Sequence, residues 1–497
     1  MPHARPLVSR LLTGLTLLLT LGTLGSVDAQ STGKTLRVFA GVYTPTAATT
    51  VTAQTPRVNN ALRDLAQKFT QQTGIKVEFV TPGFNVADTD TPENRAKWES
   101  FMQAGIASGT APDITAVPQG PDQTGKGWFL NLDSAYTTPN EFAKGNAKWS
   151  DLYRSKFFNN LVGVGNNHYL VPMAASYPYV LIGTFYNKTL MKQAGITGTP
   201  KTWEEWMGQL AQLKKAGIAP MAPFPVEAKS GSVWPMWSTL IPAFTQNLMP
   251  KVDTDKNGAV TQLEIAQAVL KNVISMSNPG MREAFRQYKR QLSYYLPGWN
   301  AADVQAAWTQ GKVAQKYGGF WELYGERSNT GRKFEFGFFP TLPVTTATSK
   351  LVTWKPKLAP TGEARLEGIE GAQNLYAVVK SSVEKNGTSA EAVKFLKFLT
   401  TPDANEYLVN ENPDSIPAIK GAQPDPLWNQ LADLPAADYS ESAIYPFGLD
   451  GEQQANLQRE VVLWALGQKN DSAFFAAVQK DLLRAAQKYV DASKKAG

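Results

Sequence analysis

The sequence predicts an α/β protein built as two lobes, and three observations carry that expectation. Residues 35–117 alternate β-branched runs with amphipathic helical periods, the pattern of a parallel sheet covered by helices. The chain has 497 residues, more than one hydrophobic core holds and natural for two units of roughly 200 residues each. Residues 169–220 join an apolar strand to a helix whose start and stop signals are both explicit.

The first 29 residues stand outside the fold. Arg5 and Arg10 precede an apolar run at 11–24, and Val27-Asp28-Ala29 suits small-residue cleavage before Gln30. The run is shorter than the roughly 18–20 apolar residues that span a bilayer, so it reads as a secretory leader and not an anchor. No cysteine is present. The chain therefore has neither a lipid-attachment Cys nor a disulfide framework, and once cleaved it is expected to be a soluble, secreted monomer, periplasmic or extracellular.

Residues 35–40 read as the first strand, ahead of Gly41. A helix follows with Leu62, Leu65, Ala66 and Phe69 on one face and a stop at Gly74. Residues 75–80 form the next strand, 92–107 a helix carrying Trp98, Phe101 and Ile106, and 112–117 a third strand. This order predicts a right-handed parallel crossover. Residues 180–186 form an apolar strand ending at Asn187-Lys188. Thr202 and Glu205 then make a capping box for a helix that buries Trp203, Trp206, Met207, Leu210 and Leu213 and stops at Gly217.

Composition excludes several functions. The net charge is +7, but Lys and Arg are scattered among acids with no basic run, which argues against nucleic acid as a partner. Only His3 and His168 are present. A Cys/His zinc site is therefore excluded, and a serine–histidine triad would have to use His168, which is expected as an exposed turn histidine.

The block YLVPMAASYPYVLIGTFYNKTLMKQAGITGTPKTWEEWMGQLAQLKKAGIAP (169–220) resembles the family 1 extracellular solute-binding proteins, the receptors of ATP-driven importers. Further segments match that family in order: AGIASGTAPDITAV, GWFLNLDSAY (127–136), WTQGKVAQKYGGFWEL (308–323), FEFGFFPTLP (334–343) and the stretch from GAQNLYAVVK through TTPDANEYLV. The resemblance implies a periplasmic-binding-protein-like fold (type II) with a ligand cleft between lobes and three chain crossings. These are placed near 172–178, 337–340 and 399–404. Lobe one then holds 30–173 plus 339–400, and lobe two 174–338 plus 401–497. It further implies a carrier and not an enzyme, one that closes by hinge motion around its ligand and docks on ABC-transporter permease subunits.

A sugar site needs flat aromatic platforms and a rim of amides and carboxylates, and the chain has 13 Trp, 17 Tyr and 23 Phe to supply them. Aromatics on helix faces read as core. The resemblance places Trp321, in Gly318-Gly319-Phe320-Trp321, on the Gly-x-Trp turn that stacks on a sugar ring, and Trp234 and Trp237 in a loop facing the cleft. Tyr43, after the first strand, sits at the cleft edge. Tyr177 and Tyr179 flank the first crossing and either line the cleft or brace the hinge. Asp122 follows the third strand, where open α/β sheets collect ligands; it either accepts sugar hydroxyl protons or sits solvated in a Pro-Gly turn. Glu370 precedes a segment where the family has paired glycines, one of which is replaced here.

A second motif is independent of the resemblance. Residues 253–264 fit the twelve-position calcium loop of an EF-hand. Asp253, Asp255 and Asn257 offer side-chain oxygens, Gly258 allows the turn, Ala259 offers its carbonyl, Thr261 ligates directly or through water, and Glu264 closes the site with two oxygens. A helix at 263–274 is expected to follow. The expected cofactor is a structural Ca2+, fastening an insertion in lobe two.

The leading expectation is a receptor for a carbohydrate, in particular an oligosaccharide. The same fold could serve a polyamine or phosphodiester, which would require a clustered acidic or Arg-rich pocket. A secreted carbohydrate-active enzyme would require two cleft carboxylates at a set separation, and no local motif supplies them.

Overall fold

A computed structural model of the chain describes residues 33–50, 58–84, 92–118, 121–154, 158, 167–176, 182–223, 235–256, 260–319, 322–355, 357–358, 371–412, 415–426, 437–438 and 444–496. The expected leader lies outside them. No helix among the described residues is long and apolar enough to cross a membrane.

The first sheet has six strands. β1 (Thr35–Phe39) pairs in parallel with β2 (Lys76–Phe79) and β3 (Ile114–Val117), at registers Val38↔Phe79 and Val38↔Ile114. The helices between them, Ala61–Thr73 and Pro92–Ser108, are the crossover helices read from the sequence. Gly74, at φ 74°, ends the first of these by adopting the left-handed conformation that a side chain resists. Next along the chain is β4 (Leu170–Ser176) of the same sheet, and then the chain leaves for the second sheet. That sheet is formed by β5 (Ile182–Asn187), β6 (Met221–Ala222), β7 (Gln315–Gly319) and β8 (Phe336–Pro340), in the order β6-β7-β5-β8. β9 (Lys357–Leu358) belongs to neither of these two sheets.

The chain returns to the first sheet with β10 (Gly371–Val378). It lies between β3 and β4, antiparallel to both, at registers Leu375↔Val117 and Tyr376↔Val171. β11 (Ile416–Pro417) adds an edge strand beside β4. β12 (Ala437–Asp438) pairs only with β9, joining two connecting segments into a short ribbon.

The passages between sheets differ from the expected ones. The first lies at 177–181, because β4 continues to Ser176. The second is not at 337–340: residues 341–354 stay with the second unit, where Pro343 O accepts from Trp203 N (3.0 Å) and Ala243 O from Thr353 N (3.0 Å). Leu342 and Val344 are buried in the same core. The third is not at 399–404. The helix Pro402–Asn410 packs on β4 and on helix Ala61–Thr73, β11 joins the first sheet, and Ala422 is buried there. Among the described residues, burial with the second unit resumes at Ile444.

Buried polar groups tie these long-range elements together. Asp113, fully buried before β3, accepts from Arg37 N (2.9 Å), Ser382 Oγ (2.9 Å), Asn386 Nδ2 (2.9 Å) and Thr388 Oγ1 (3.1 Å). It thereby pins the helices Lys380–Asn386 and Ser389–Leu399 to the sheet. Trp149 Nε1 donates to Thr400 Oγ1 (2.8 Å) and Asn405 Nδ2 to the carbonyl of Met173 (2.8 Å). The Trp203–Lys215 helix starts where expected, with Thr202 Oγ1 accepting from Glu205 N (3.2 Å) and Trp203 and Trp206 buried, but only half of the expected capping box forms, because Glu205 Oε2 accepts from Lys201 N (2.7 Å) and not from Thr202 N. Asp113→Ala removes the acceptor shared by four donors, of which Ser382 Oγ and Asn386 Nδ2 keep a second acceptor, so it should destabilise the protein by about 3 kcal/mol, and Asp113→Asn by less, as a lower urea midpoint.

Candidate functional site

Strand direction sets where a ligand can sit. The parallel strands β1 and β3 end at one edge of the first sheet, and the antiparallel β10 begins there, with Gly371 opposite Ser176 at the end of β4. β11 starts at the same edge, opposite Ala175. In the second sheet, Ile182 at the start of β5 faces Gly319 at the end of β7, and Gly183 faces Pro340 at the end of β8. The chain runs from the first of these edges to the second in 177–181. Both edges therefore flank one passage, which is where a cleft between two open α/β sheets forms.

The first edge is rigidly built. Gly41 turns the chain after β1 at φ 57°, and a Cβ there would stand 2.7 Å from the Cβ of Ala116, so only glycine fits. The turn Gly41–Tyr43 is locked by Thr44 Oγ1 donating to Gly41 O (2.7 Å) and by Asn59 Nδ2 donating to Val42 O (2.8 Å). Tyr43 is nearly buried, and its hydroxyl accepts from Asn374 Nδ2 (2.9 Å). Beneath it Tyr376 donates its hydroxyl to Ala40 O (2.9 Å), and burial pushes this phenol well above its usual range. Ser415 donates to Gln373 Oε1 (2.8 Å) at the same edge.

The second edge rests on buried charge. Lys316 of β7 is fully buried; its Nζ reaches Glu322 Oε2 (2.7 Å), Glu326 Oε1 (2.5 Å) and Gln305 Oε1 (3.2 Å). Glu322 Oε1 accepts from Gly319 N (3.0 Å), closing the turn at the end of β7. Burial raises the Glu322 pKa, with the Lys316 charge opposing it. Trp308 Nε1 donates to Glu326 Oε2 (2.8 Å).

Of the expected ligand residues, Tyr43 stands at the first edge. Asp122 belongs to the turn Pro121–Lys126 just beyond β3. Trp237, expected in a loop, lies instead in the π-helical segment Met236–Leu240 that runs directly into the helix Ile241–Thr245, and it is half exposed there. Tyr177, Tyr179, Trp234, Trp321 and Glu370 lie outside the described residues; Tyr177, Trp234, Trp321 and Glu370 adjoin described ones at Ser176, Pro235, Glu322 and Gly371. Asn374 and the Lys316 cluster are absent from the sequence reading. His168 departs from its expected solvated turn: Nδ1 lies 2.8 Å from Asp133 Oδ1, and the ring stacks on Phe158 at 4.6 Å.

The expected calcium loop is described in part, Asn257, Gly258 and Ala259 lying outside. Asp253, Asp255 and Glu264 bring one carboxylate oxygen each within 4.8 Å of one another. Glu264 Oε1 accepts from Thr254 N (2.8 Å) and Oγ1 (2.9 Å), and Oε2 from Thr261 N (2.9 Å) and Oγ1 (3.0 Å). Those bonds, the Thr261 backbone first, lower its pKa to about 2. The carboxylate is therefore ionised, and this all-oxygen donor set suits a hard divalent cation. The following helix, Gln262–Leu270, is shorter than the expected 263–274, with Asn272 at φ 56° just past its end.

The sequence profile of the bacterial extracellular solute-binding proteins matches residues 52–406. No curated protein matches the chain. Among solved structures, a chitin oligosaccharide binding protein matches at 19% identity and TM-score 0.55, over 91% of this chain and 98% of that one. The bacterial solute receptor AcbH, described as having an exclusive preference for β-D-galactopyranose, matches at 12% identity and TM-score 0.57, over 92% and 100%. The cyclic α-maltosyl-1,6-maltose binding protein of Arthrobacter globiformis matches at 15% identity and TM-score 0.54, over 92% and 99%. Identities this low make these likenesses of fold, and the fold they share with this chain is the two-lobed one of periplasmic binding proteins. With the profile spanning most of its length, the chain belongs to the bacterial extracellular solute-binding proteins.

Proposed function

We propose that this protein is the extracytoplasmic receptor of an ABC importer and that it captures a carbohydrate, in particular an oligosaccharide, between the facing edges of its two sheets. The observation that carries this reading is that the strand ends of both sheets flank one chain passage, and that the first of them carries the Tyr43 hydroxyl and the Gln373 and Asn374 amides. Sugars offer C–H faces to aromatic rings and hydroxyls to polar rims. Trp234, Trp237 and Trp321 supply the platforms. Tyr43, Asp122 and Glu370 bind hydroxyls, and Tyr177 and Tyr179 line the passage. Fold neighbours that bind chitin oligosaccharide, galactopyranose and a cyclic maltosyl-maltose support the ligand class.

Binding shifts the equilibrium toward the closed form by its differential affinity for that form. The closed receptor then docks on the membrane permease. Residues 1–29 act as the secretory leader in this reading. No step of this cycle calls for turnover of the ligand.

The loop 253–264 holds a structural Ca2+ in this reading, with Asp253, Asp255, Asn257, the Ala259 carbonyl, Thr261 and Glu264 as its ligands. The cation would neutralise the carboxylates that Asp253, Asp255 and Glu264 hold together.

In thermal-shift assays across mono- and oligosaccharides, a sugar at a hundredfold its Kd should stabilise the protein by about 2.7 kcal/mol. A shift with polyamines and none with sugars would overturn the carbohydrate reading. Trp237→Ala should weaken sugar binding about tenfold by calorimetry, or about 1.4 kcal/mol. Calcium should raise the wild-type Tm and leave that of Asp253→Ala, which lacks the position-1 carboxylate, unmoved; equal responses would sink the metal site. Without metal, Glu264→Gln can keep the capping box through its amide oxygen but loses the second acceptor oxygen and the charge, so it should cost about 1 kcal/mol at neutral pH. Because folding lowers this carboxylate from 4.5 to about 2, the difference from wild type should be full above pH 4.5 and vanish as the pH falls through about 2.

A further inference from the structure

Three non-glycine residues among those described have positive φ: Lys256 in the loop, Asn272 behind a helix, and Asn374 at φ 51°. Asn374 alone lies inside a strand. Its neighbours keep one register with β4, Gln373↔Ala174 and Leu375↔Pro172, so no residue has been inserted. The left-handed residue therefore does not change strand spacing. It changes where one side chain points.

Left-handed backbone costs a side-chain-bearing residue on the order of 1 kcal/mol, and glycine would avoid that cost. Strain retained at one position calls for a role there. The Asn374 amide donates through Nδ2 to the Tyr43 hydroxyl at 2.9 Å. In the sheet order β10-β3-β1, this bond reaches over the end of β3, spanning the edge from which a ligand is approached. Tyr43 is itself fixed by the locked turn after β1. With Nδ2 engaged, the half-buried amide keeps Oδ1, which takes no hydrogen bond among the described residues, as an acceptor at the cleft.

We propose that Asn374 is a specificity-determining residue that accepts a hydrogen bond from one hydroxyl of the bound sugar, with Tyr43 as the positioning residue that orients its amide. This rests on the carbohydrate reading above and deepens it. The ligand chemistry implied is a neutral polyol with a hydroxyl directed at the floor of the first lobe.

The test uses the mature protein with galactose, maltotriose, raffinose and N,N′-diacetylchitobiose as probes, read by calorimetry. For whichever probe wild type binds tightest, Asn374→Gly should weaken binding about tenfold, since one hydrogen bond is lost. Its Tm should stay within a few degrees of wild type, because glycine fits the left-handed backbone. Asn374→Asp, which keeps the acceptor, should retain most of the affinity. Wild type should also lose about tenfold toward one monodeoxy analogue of that probe, and Asn374→Gly should not discriminate against it. A sugar bound equally by wild type and Asn374→Gly would overturn this assignment and leave the receptor function standing. Binding of none of these probes by wild type would overturn both.

Discussion

Strand β10 enters the first sheet only after the chain has built most of the second unit, and without it the first sheet falls into two pieces. β1, β2 and β3 form one parallel block, β4 and β11 another, and β10 is the strand that hydrogen-bonds to both. Its partners lie roughly 200 to 260 residues earlier, so the loop-closure entropy of that pairing is met by contacts that form together. Asp113 is part of that closure, since the helix it pins at Ser382 and Asn386 follows directly from β10. The cleft edge is a product of the same pairing, because the strand that completes the sheet also carries Gln373 and Asn374 to its rim.

Local signals were legible and distant pairings were not. The helix at Trp203–Lys215 was readable to the residue, because its cap, apolar face and stop all lie within one short segment. The parallel strands and their crossover helices were readable for the same reason. The second and third passages were misplaced because nothing local marks them. Residues 341–354 look like a loop, yet their backbone is bonded to Trp203 and Ala243, and β11 is only two residues long. At the site, Tyr43 was legible from its place after a strand. Asn374 was not, since no sequence pattern announces a left-handed residue in mid-strand. Lys316 looked like an ordinary charged residue; only the fold brings Glu322 and Glu326 around it.

The two edges are built so that motion between them need not deform either. Each is made of strand ends braced by short hydrogen bonds within its own sheet, while the connecting chain runs through 177–181 and the segments joined at β9 and β12. A rotation of one unit against the other would therefore leave each edge intact, as hinge closure requires.

The charge cluster beneath the second edge has a consequence for the surroundings in which the receptor works. Surface ion pairs weaken as mobile ions gather around them, over a Debye length of about 8 Å at physiological ionic strength. Lys316 is fully buried and Glu326 almost so, which keeps that pair out of contact with mobile ions. A protein of an extracellular family is not shielded from changes in ionic strength, and the brace at this strand end is the kind of pair they weaken least.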